Sequence, residues 1–272
     1  MQTIISYIEG KRQVYERHAF FTGLLTNPTI SGEKRLSWAP SIIPFIMGYS
    51  DLNKYVFRKE DSETAADPLQ AMLNSHTYEE DFHWQWFLAD LKKIGADTKM
   101  PLSDATRVLW SADFRHSRRL CLEITSLASH APTYVLYAMV EALEATSLTF
   151  FKNCQGITMR NGEECEYFGT RHYIAEASHS INAPEVIESK LPDLTDDEKQ
   201  QARVTVDRVF ALFDDWLYSL LRYAREIDEH SIAYERIARH SRAVLPELEN
   251  ENRAKPLVER AEEFLLPSMI CD

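Results

Sequence analysis

The chain has 272 residues, a formal net charge of −12 at neutral pH and a hydrophobic fraction of 44%. This length and apolar fraction predict a globular protein with a substantial core and exclude a disordered chain. The acidic balance, and the lack of an apolar run near the roughly 20 residues of a membrane span, argue against nucleic-acid and membrane partners. With no signal-like N-terminal segment and no CxxC pair, we expect a cytoplasmic protein with reduced thiols.

Helical patterns run through most of the chain, and the eight glycines are too few for a turn-rich β fold. The first helix is predicted to end near Glu16. Asp67 can cap a later helix, with Pro68 at its first position. That helix is predicted to reach Ile94 and to stop at Gly95, a typical residue after a helix end.

Three further helices are expected in the middle of the chain. Ser103 is predicted to cap one that runs to about Ser129. Pro132 opens a second that reaches about Lys152, and the third covers about residues 163–180. Short connections between long helices are typical of an all-α bundle, here of seven to eight helices.

The sequence from Thr195 to Glu198 is a capping box, and it begins a long amphipathic helix. After this helix the chain becomes strongly charged and is interrupted by prolines. We therefore expect one helical domain over residues 1–228, with a charged helical C-terminal extension over residues 229–272 that packs on the same domain.

The most specific chemical signal is the spacing His172-x3-Glu176-x2-His179. On an α-helix these three side chains fall within a stripe roughly 60° wide. Two imidazoles and a carboxylate that face the same way form half of a site for a first-row transition metal. The alternative is a polar surface face of an ordinary helix.

A second candidate half-site lies upstream, where Glu80 and His83 are separated by three residues. One helical turn brings such a carboxylate and imidazole to the same ion. Glu79 is an alternative carboxylate, and His76 is a further ligand candidate two turns before His83. The competing interpretation is a solvated face with a structural histidine.

A third source of carboxylate is the helix after Pro132, which is apolar all round apart from Glu141, Glu144 and a few hydroxyls. An ionised carboxylate in such a helix costs several kcal/mol unless it is paired or bound to metal. The alternative partners are three arginines, Arg115, Arg118 and Arg119. The two glutamates lie on overlapping faces, so periodicity does not choose between them.

In this order the segments resemble the heme-oxygenase-like di-iron oxidase family, in the superfamily of thiaminase II and pyrroloquinoline-quinone synthase. The early His18-Ala-Phe-Phe segment is similar to the opening segment of that superfamily, and the resemblance covers about residues 10–225. The family usually has aspartate where this chain has Glu176, and its loop length favours Glu141 over Glu144. The resemblance implies a heme-oxygenase-like bundle and these ligands: Glu80, His83, Glu141, His172, Glu176 and His179.

The same resemblance implies two Fe(II) ions per chain, with Mn(II) as an alternative, and O2 as co-substrate. A small organic substrate of the amine, amino acid or fatty acid type would be oxidised in a pocket between the helices. Tyr137, Phe168 and Tyr173 are the expected pocket residues, and no catalytic residue is expected beyond the metal ligands. The family habit is a homodimer.

Three other functions stay open at this stage. The same fold can bind heme, and His18 would then be the axial ligand. A metal-free enzyme similar to thiaminase II would need a nucleophilic cysteine, for which Cys121 and Cys154 are the candidates. The third alternative is a non-enzymatic helical protein that binds a partner through its acidic tail.

Overall fold

Helices account for most of residues 1–61, 67–177 and 191–226, the parts of the chain that this computed structural model describes. The described residues contain no β-strand beyond an isolated bridge between Thr158 and Glu164, which confirms the all-α class. Two π-helical turns, Phe21–Leu25 and Asn53–Phe57, and two 3-10 turns, Ala39–Ile42 and Ala112–Phe114, connect longer elements. The α-helices are α1 (Gln2–Tyr15), α2 (Gly32–Arg35), α3 (Ile43–Leu52), α4 (Pro68–Glu79), α5 (His83–Lys93), α6 (Leu102–Trp110), α7 (Arg115–Ala128), α8 (Thr133–Cys154), α9 (Thr170–Ala177) and α10 (Asp196–Glu226).

Several predicted helix ends are confirmed by their capping interactions. The Asp67 carboxylate accepts a hydrogen bond from the Leu69 amide at 2.9 Å and so caps α4. Gly95 follows α5 with φ of +73°, the left-handed conformation that ends helices without strain only at glycine. At the start of α10 the Glu198 amide donates to Thr195 Oγ1, and the Thr195 amide donates to the Glu198 carboxylate. These ends follow from local sequence because local side chains satisfy the free backbone groups.

The single helix predicted over residues 68–94 is wrong, because α4 and α5 are separated by a turn at residues 80–82. Arg58 holds this turn: its guanidinium donates to the Thr77 carbonyl and to the Asp81 carboxylate, both at 2.9 Å. Asp81 is therefore directed to Arg58, while Glu80 is buried on the other side. A tertiary ion pair thus overrides a helical pattern that looks continuous in the sequence.

The prediction of one helix from Ser103 to about Ser129 is also wrong. Leu102 begins α6 with Pro101 before it, so Ser103 lies inside the helix and does not cap it. The Arg118 side chain of α7 donates to the carbonyls of Leu109 and Ser111, where α6 ends and the chain turns. These bonds satisfy carbonyls that a continuous helix would have used internally.

The helix that carries the late histidine motif begins at Thr170 rather than near residue 163. Residues 164–168 instead form a loop that packs against α5. The predicted end of this helix near residue 180 lies outside the described residues, as does the predicted extension over residues 229–272.

α8 is the central helix, with 15 of its 22 residues buried. It packs against α1, α4, α9 and α10, so its faces meet protein in several directions. This arrangement confirms the prediction of a buried central helix and places Glu141 and Glu144 in the interior. No helix among the described residues is long and apolar enough to cross a lipid bilayer.

α3 approaches α7 closely at Gly48. A Cβ atom at this position would stand 2.6 Å from Cys121 Sγ, closer than the two atoms can come without movement. The glycine lets α3 bring Phe45, Ile46 and Tyr49 toward the protein interior.

We expect the change Gly48→Ala to destabilise the protein by about 1–3 kcal/mol, because overpacking outweighs the helical preference of alanine over glycine. Urea unfolding of the variant measures this loss. The double variant with Cys121→Ala, which removes the opposing sulfur, should recover part of it. If Gly48→Ala lowers the free energy of unfolding equally in the wild-type and the Cys121→Ala backgrounds, the close-contact explanation is wrong.

Candidate metal centre

Two adjoining groups of buried ligand-type side chains lie between α4, α5, α8 and α9. Within each group, one nitrogen or oxygen atom from each residue lies within 4.8 Å of the others. All six side chains belong to residues that are less than a tenth exposed. The first group is His83, His172 and Glu176, and the second is His76, Glu80 and Glu144.

In the first group, His172 Nε2 lies 2.8 Å from Glu176 Oε1 and 3.1 Å from His83 Nδ1. His83 Nδ1 lies 3.8 Å from the same Glu176 oxygen. One nitrogen atom of each imidazole ring and one carboxylate oxygen therefore lie close together. Three such donor atoms could hold one metal ion.

The second group joins the first directly. His76 Nε2 lies 3.1 Å from Glu144 Oε1, and Glu80 Oε2 lies 3.1 Å from His83 Nδ1 in the first group. The Glu144 and Glu176 side chains are also in hydrogen-bonding contact. The six residues thus form one continuous cluster, and each of its two groups could hold a metal ion.

Helix geometry and the break after α4 together assemble this site. His76 and Glu80 are one turn apart at the end of α4, and His172 and Glu176 are one turn apart on α9. The turn at residues 80–82 separates α4 from α5, and His83, the first residue of α5, lies close to Glu80. The predicted Glu80 and His83 pair therefore does meet, but across a turn rather than along one helix face.

Burial makes the charge balance of the site unfavourable without a cation. It raises the pKa of Glu176 well above the ordinary range, and repulsion from Glu80 and Glu144 raises it further. Burial lowers the pKa of His76, but attraction to Glu144 and Glu80 outweighs this and raises it to about 9. Carboxylates that repel one another in a buried space are stabilised by a bound metal ion, which supplies compensating charge.

A hydrogen bond from Nδ1, the ring nitrogen that does not contact His83 and Glu176, fixes the orientation of His172. Its Nδ1 lies 3.0 Å from the Tyr167 carbonyl, an interaction in which Nδ1 carries the proton and donates it. Nε2 then has its lone pair directed at His83 and Glu176. Metal-binding histidines in proteins are commonly held in this way.

Asp90 positions residues 166–168, the segment just before the helix that carries His172. Asp90 was not among the predicted site residues. Its carboxylate is fully buried and accepts hydrogen bonds from the amides of Glu166, Tyr167 and Phe168 at 2.7, 2.7 and 3.0 Å. Burial raises the pKa of Asp90, and the three amides act against that rise. The available signal is its place two turns after His83, on the buried face of the amphipathic α5.

The structure separates the two glutamates of α8. Glu144 lies in the second group, whereas Glu141, which the loop length favoured, belongs to neither group and lies beside Tyr137. Burial raises the pKa of Glu141 to about 7, although the Tyr137 hydroxyl acts in the opposite direction. Glu79 is exposed at the end of α4. His179 lies outside the described residues.

Two of the three arginines considered as partners of these glutamates bind elsewhere, and Arg115 is exposed at the start of α7. Arg118 donates to backbone carbonyls at the end of α6, and Arg119 forms a salt bridge with Glu123. The described contacts of Glu80, Glu144 and Glu176 include the histidines already named and, for Glu144, the Tyr49 hydroxyl at 3.5 Å.

A cavity of about 40 Å³ opens onto the site. Glu80, His172 and Glu176 form one end of it. The described residues that line the remainder are contributed mainly by the 3-10 turn before α3 and by α3, α8 and α10: Ile42, Phe45, Ile46, Tyr49, Leu143, Thr146, Ser147, Phe150, Phe151, Tyr167, Phe213 and Trp216.

The residues expected to line the pocket lie elsewhere. Tyr137 is fully buried beside Glu141, and Phe168 packs edge-on against Trp38 and Phe87. Tyr173 is half-buried on α9 and packs against the core. The sequence places these aromatic residues near the right helices, but the direction of each side chain depends on how the helices pack.

Two of the alternative functions name residues that the structure describes, whereas the acidic tail lies outside the described residues. His18 Nδ1 accepts a hydrogen bond from the Phe20 amide, and its Nε2 lies 3.8 Å from an Asp214 carboxylate oxygen. Burial raises the pKa of Cys121 to about 12 and that of Cys154 far above its ordinary value. A nucleophilic cysteine needs the opposite shift, because the thiolate is the reactive form.

A comparison with models of known protein families finds no match, and a search of curated protein sequences finds none either.

We expect the stability of the metal-free protein to fall as pH rises from about 4.5 to about 7, in part because of Glu141. Its carboxyl has an ordinary pKa of 4.5 and a pKa of about 7 when folded, so the folded state holds the proton more tightly across this interval. The change Glu141→Gln should stabilise the protein more at pH 8 than at pH 5, relative to wild type. Urea unfolding at both pH values tests this, and an equal change at both would contradict it.

We expect the change Asp90→Asn to weaken Fe(II) binding about tenfold, because an amide cannot accept from three backbone N–H groups as a carboxylate does. Anaerobic Fe(II) titration measures the affinity. The matched control is Asp104→Asn at the exposed start of α6. Unchanged affinity in a folded Asp90→Asn protein would show that this carboxylate supports the loop without positioning His172.

Proposed function

We propose that this protein is a non-heme di-iron oxidase or oxygenase that uses O2 to oxidise a small organic substrate. The observation that carries the proposal is the pair of adjoining three-residue groups, buried together at one end of an apolar pocket. The resemblance of the sequence to heme-oxygenase-like di-iron oxidases supports the same function and the corresponding bundle. In that interpretation His179 is a further ligand of the first group.

The donor set fits iron. Three imidazoles and three carboxylates suit Fe(II) or Mn(II), whereas structural zinc sites prefer four tetrahedral ligands that are often thiolates. The residues of each group would hold one ion, and the adjoining pocket would give O2 and substrate access to it. When bound, a pair of Fe(II) ions supplies the electrons that reduce O2.

The residues of the chain have defined roles around such a pair. The proton on His172 Nδ1 is held by the Tyr167 carbonyl, which keeps Nε2 available as a donor. Glu80 and Glu176 face both the ligand groups and the pocket, so a substrate in the pocket lies beside the metal-binding atoms. The aromatic and aliphatic walls exclude water, which strengthens electrostatic interactions in the site and limits side reactions.

We expect the wild-type protein to bind two Fe(II) per chain, as measured by anaerobic titration. The changes His83→Ala and Glu144→Gln each remove a donor from one group. Each should lower the rate at which O2 oxidises the bound iron by at least about 100-fold, because even residues behind metal ligands contribute factors of 10 to 100. Stopped-flow absorbance measures this rate without requiring the substrate.

Two matched controls are available. His116→Ala removes a histidine from α7, and Glu141→Gln removes the buried carboxylate that belongs to neither group. Both variants should keep two Fe(II) and a near wild-type oxidation rate. Wild-type protein that binds no stoichiometric iron, or His83→Ala and Glu144→Gln proteins that oxidise bound iron at the wild-type rate, would contradict the proposal.

A further inference from the structure

The pocket beside the metal centre has one polar end and one apolar end. At the polar end, Glu80, His172 and Glu176 are candidate ligands, and the Tyr49 hydroxyl lies 3.5 Å from Glu144 Oε1. Away from it the walls are apolar and aromatic. The described lining residues include no lysine, arginine or aspartate, so charge is confined to the metal end.

The aromatic end is built by close ring contacts between α3, α8 and α10. The Phe45 ring lies 5.7 Å from the Phe213 ring and 5.1 Å from the Trp216 ring. Phe150 of α8 stacks on Trp216 at 6.0 Å. These side chains are all less than a tenth exposed, so they form a rigid apolar wall.

Two of the hydrogen-bonding groups in the wall are already used within the protein. Trp216 Nε1 donates to Ser117 Oγ at 3.0 Å, on the side toward α7. Thr146 Oγ1 donates to the Leu143 carbonyl at 2.7 Å within α8. The wall therefore presents mainly carbon to a bound molecule.

We propose that the substrate is a molecule with a single polar head and an uncharged apolar body. The head meets the metal-binding residues, and the body lies between α3, α8 and α10. This inference rests on the proposed function, and it narrows the substrate to one-headed compounds such as a simple carboxylate or amine. A compound with a charged group at each end is disfavoured, because its far charge would be buried against carbon without a partner, and that is costly.

The limited volume favours a short body. The cavity volume is only about 40 Å³. The test therefore uses short probes with a six-carbon chain.

The test compares three probes that share a six-carbon chain and differ only in charge: hexanoate, hexylamine and 6-aminohexanoate, which is charged at both ends. Each is titrated into the full-length protein loaded with Mn(II), and the change in the Mn(II) electron paramagnetic resonance signal reports binding. At least one of the one-headed probes should bind at least about tenfold more tightly than 6-aminohexanoate. The tighter of the two identifies the charge of the head. Binding of 6-aminohexanoate equal to or tighter than both would overturn the inference.

A variant with a wider apolar end provides a second measurement. Phe213→Leu shortens one wall side chain and should shift the preference from the six-carbon probe to its eight-carbon homologue, octanoate or octylamine. The matched control is Phe114→Leu, which removes the same group from a buried ring outside the pocket. A shift in both variants, or in neither, would overturn the placement of the body in this pocket.

Metal binding is measured separately in the same samples, so that failure of this inference can be distinguished from failure of the proposed function. Protein that binds two ions but none of the three probes would overturn this inference and leave the proposed function intact. Protein that binds no ions would overturn both.

Discussion

Three carboxylates and three imidazoles share one buried space in this protein, and most of its irregular features serve that arrangement. Carboxylates in an apolar interior repel one another and lose their hydration, which is unfavourable unless cations or donors compensate. A core made only of apolar side chains would be easier to fold. Packing these six side chains together from four different helices therefore lowers the stability of the fold unless their charge is compensated.

Two charged residues outside the six-residue cluster position the segments that carry the candidate ligands. Arg58 binds the turn that follows α4 and so determines where Glu80 points. Asp90 binds the loop before α9 through three amides and so determines where His172 points. In both places a charged side chain fixes backbone that has left regular structure, a stronger constraint than local propensity provides.

Local sequence was sufficient to predict the caps of α4 and α10, the burial of α8 and the pairing of His172 with Glu176. Each of these depends on residues within one or two helical turns. The break after α4 and the late start of α9 depend on Arg58 and on Asp90, which are far from those points in the sequence.

The choice between Glu141 and Glu144 could not be made from periodicity, because they lie only about 60° apart around one helix. Packing of α4 and α9 against α8 makes that choice. The pocket was unpredictable for the same reason, since its walls come from α3 and α10 as well as from the helices that carry the motifs.

The turn between Glu80 and His83 has a consequence for evolution. Residues on an α-helix must keep their spacing to share a face, so His172 and Glu176 are constrained to remain four apart. A turn between two helices tolerates insertion and deletion far better. We therefore expect homologues to keep the spacing between His172 and Glu176, while the spacing between Glu80 and His83 varies. The α9 motif, and not the Glu80 segment, is then the better guide for recognising distant homologues.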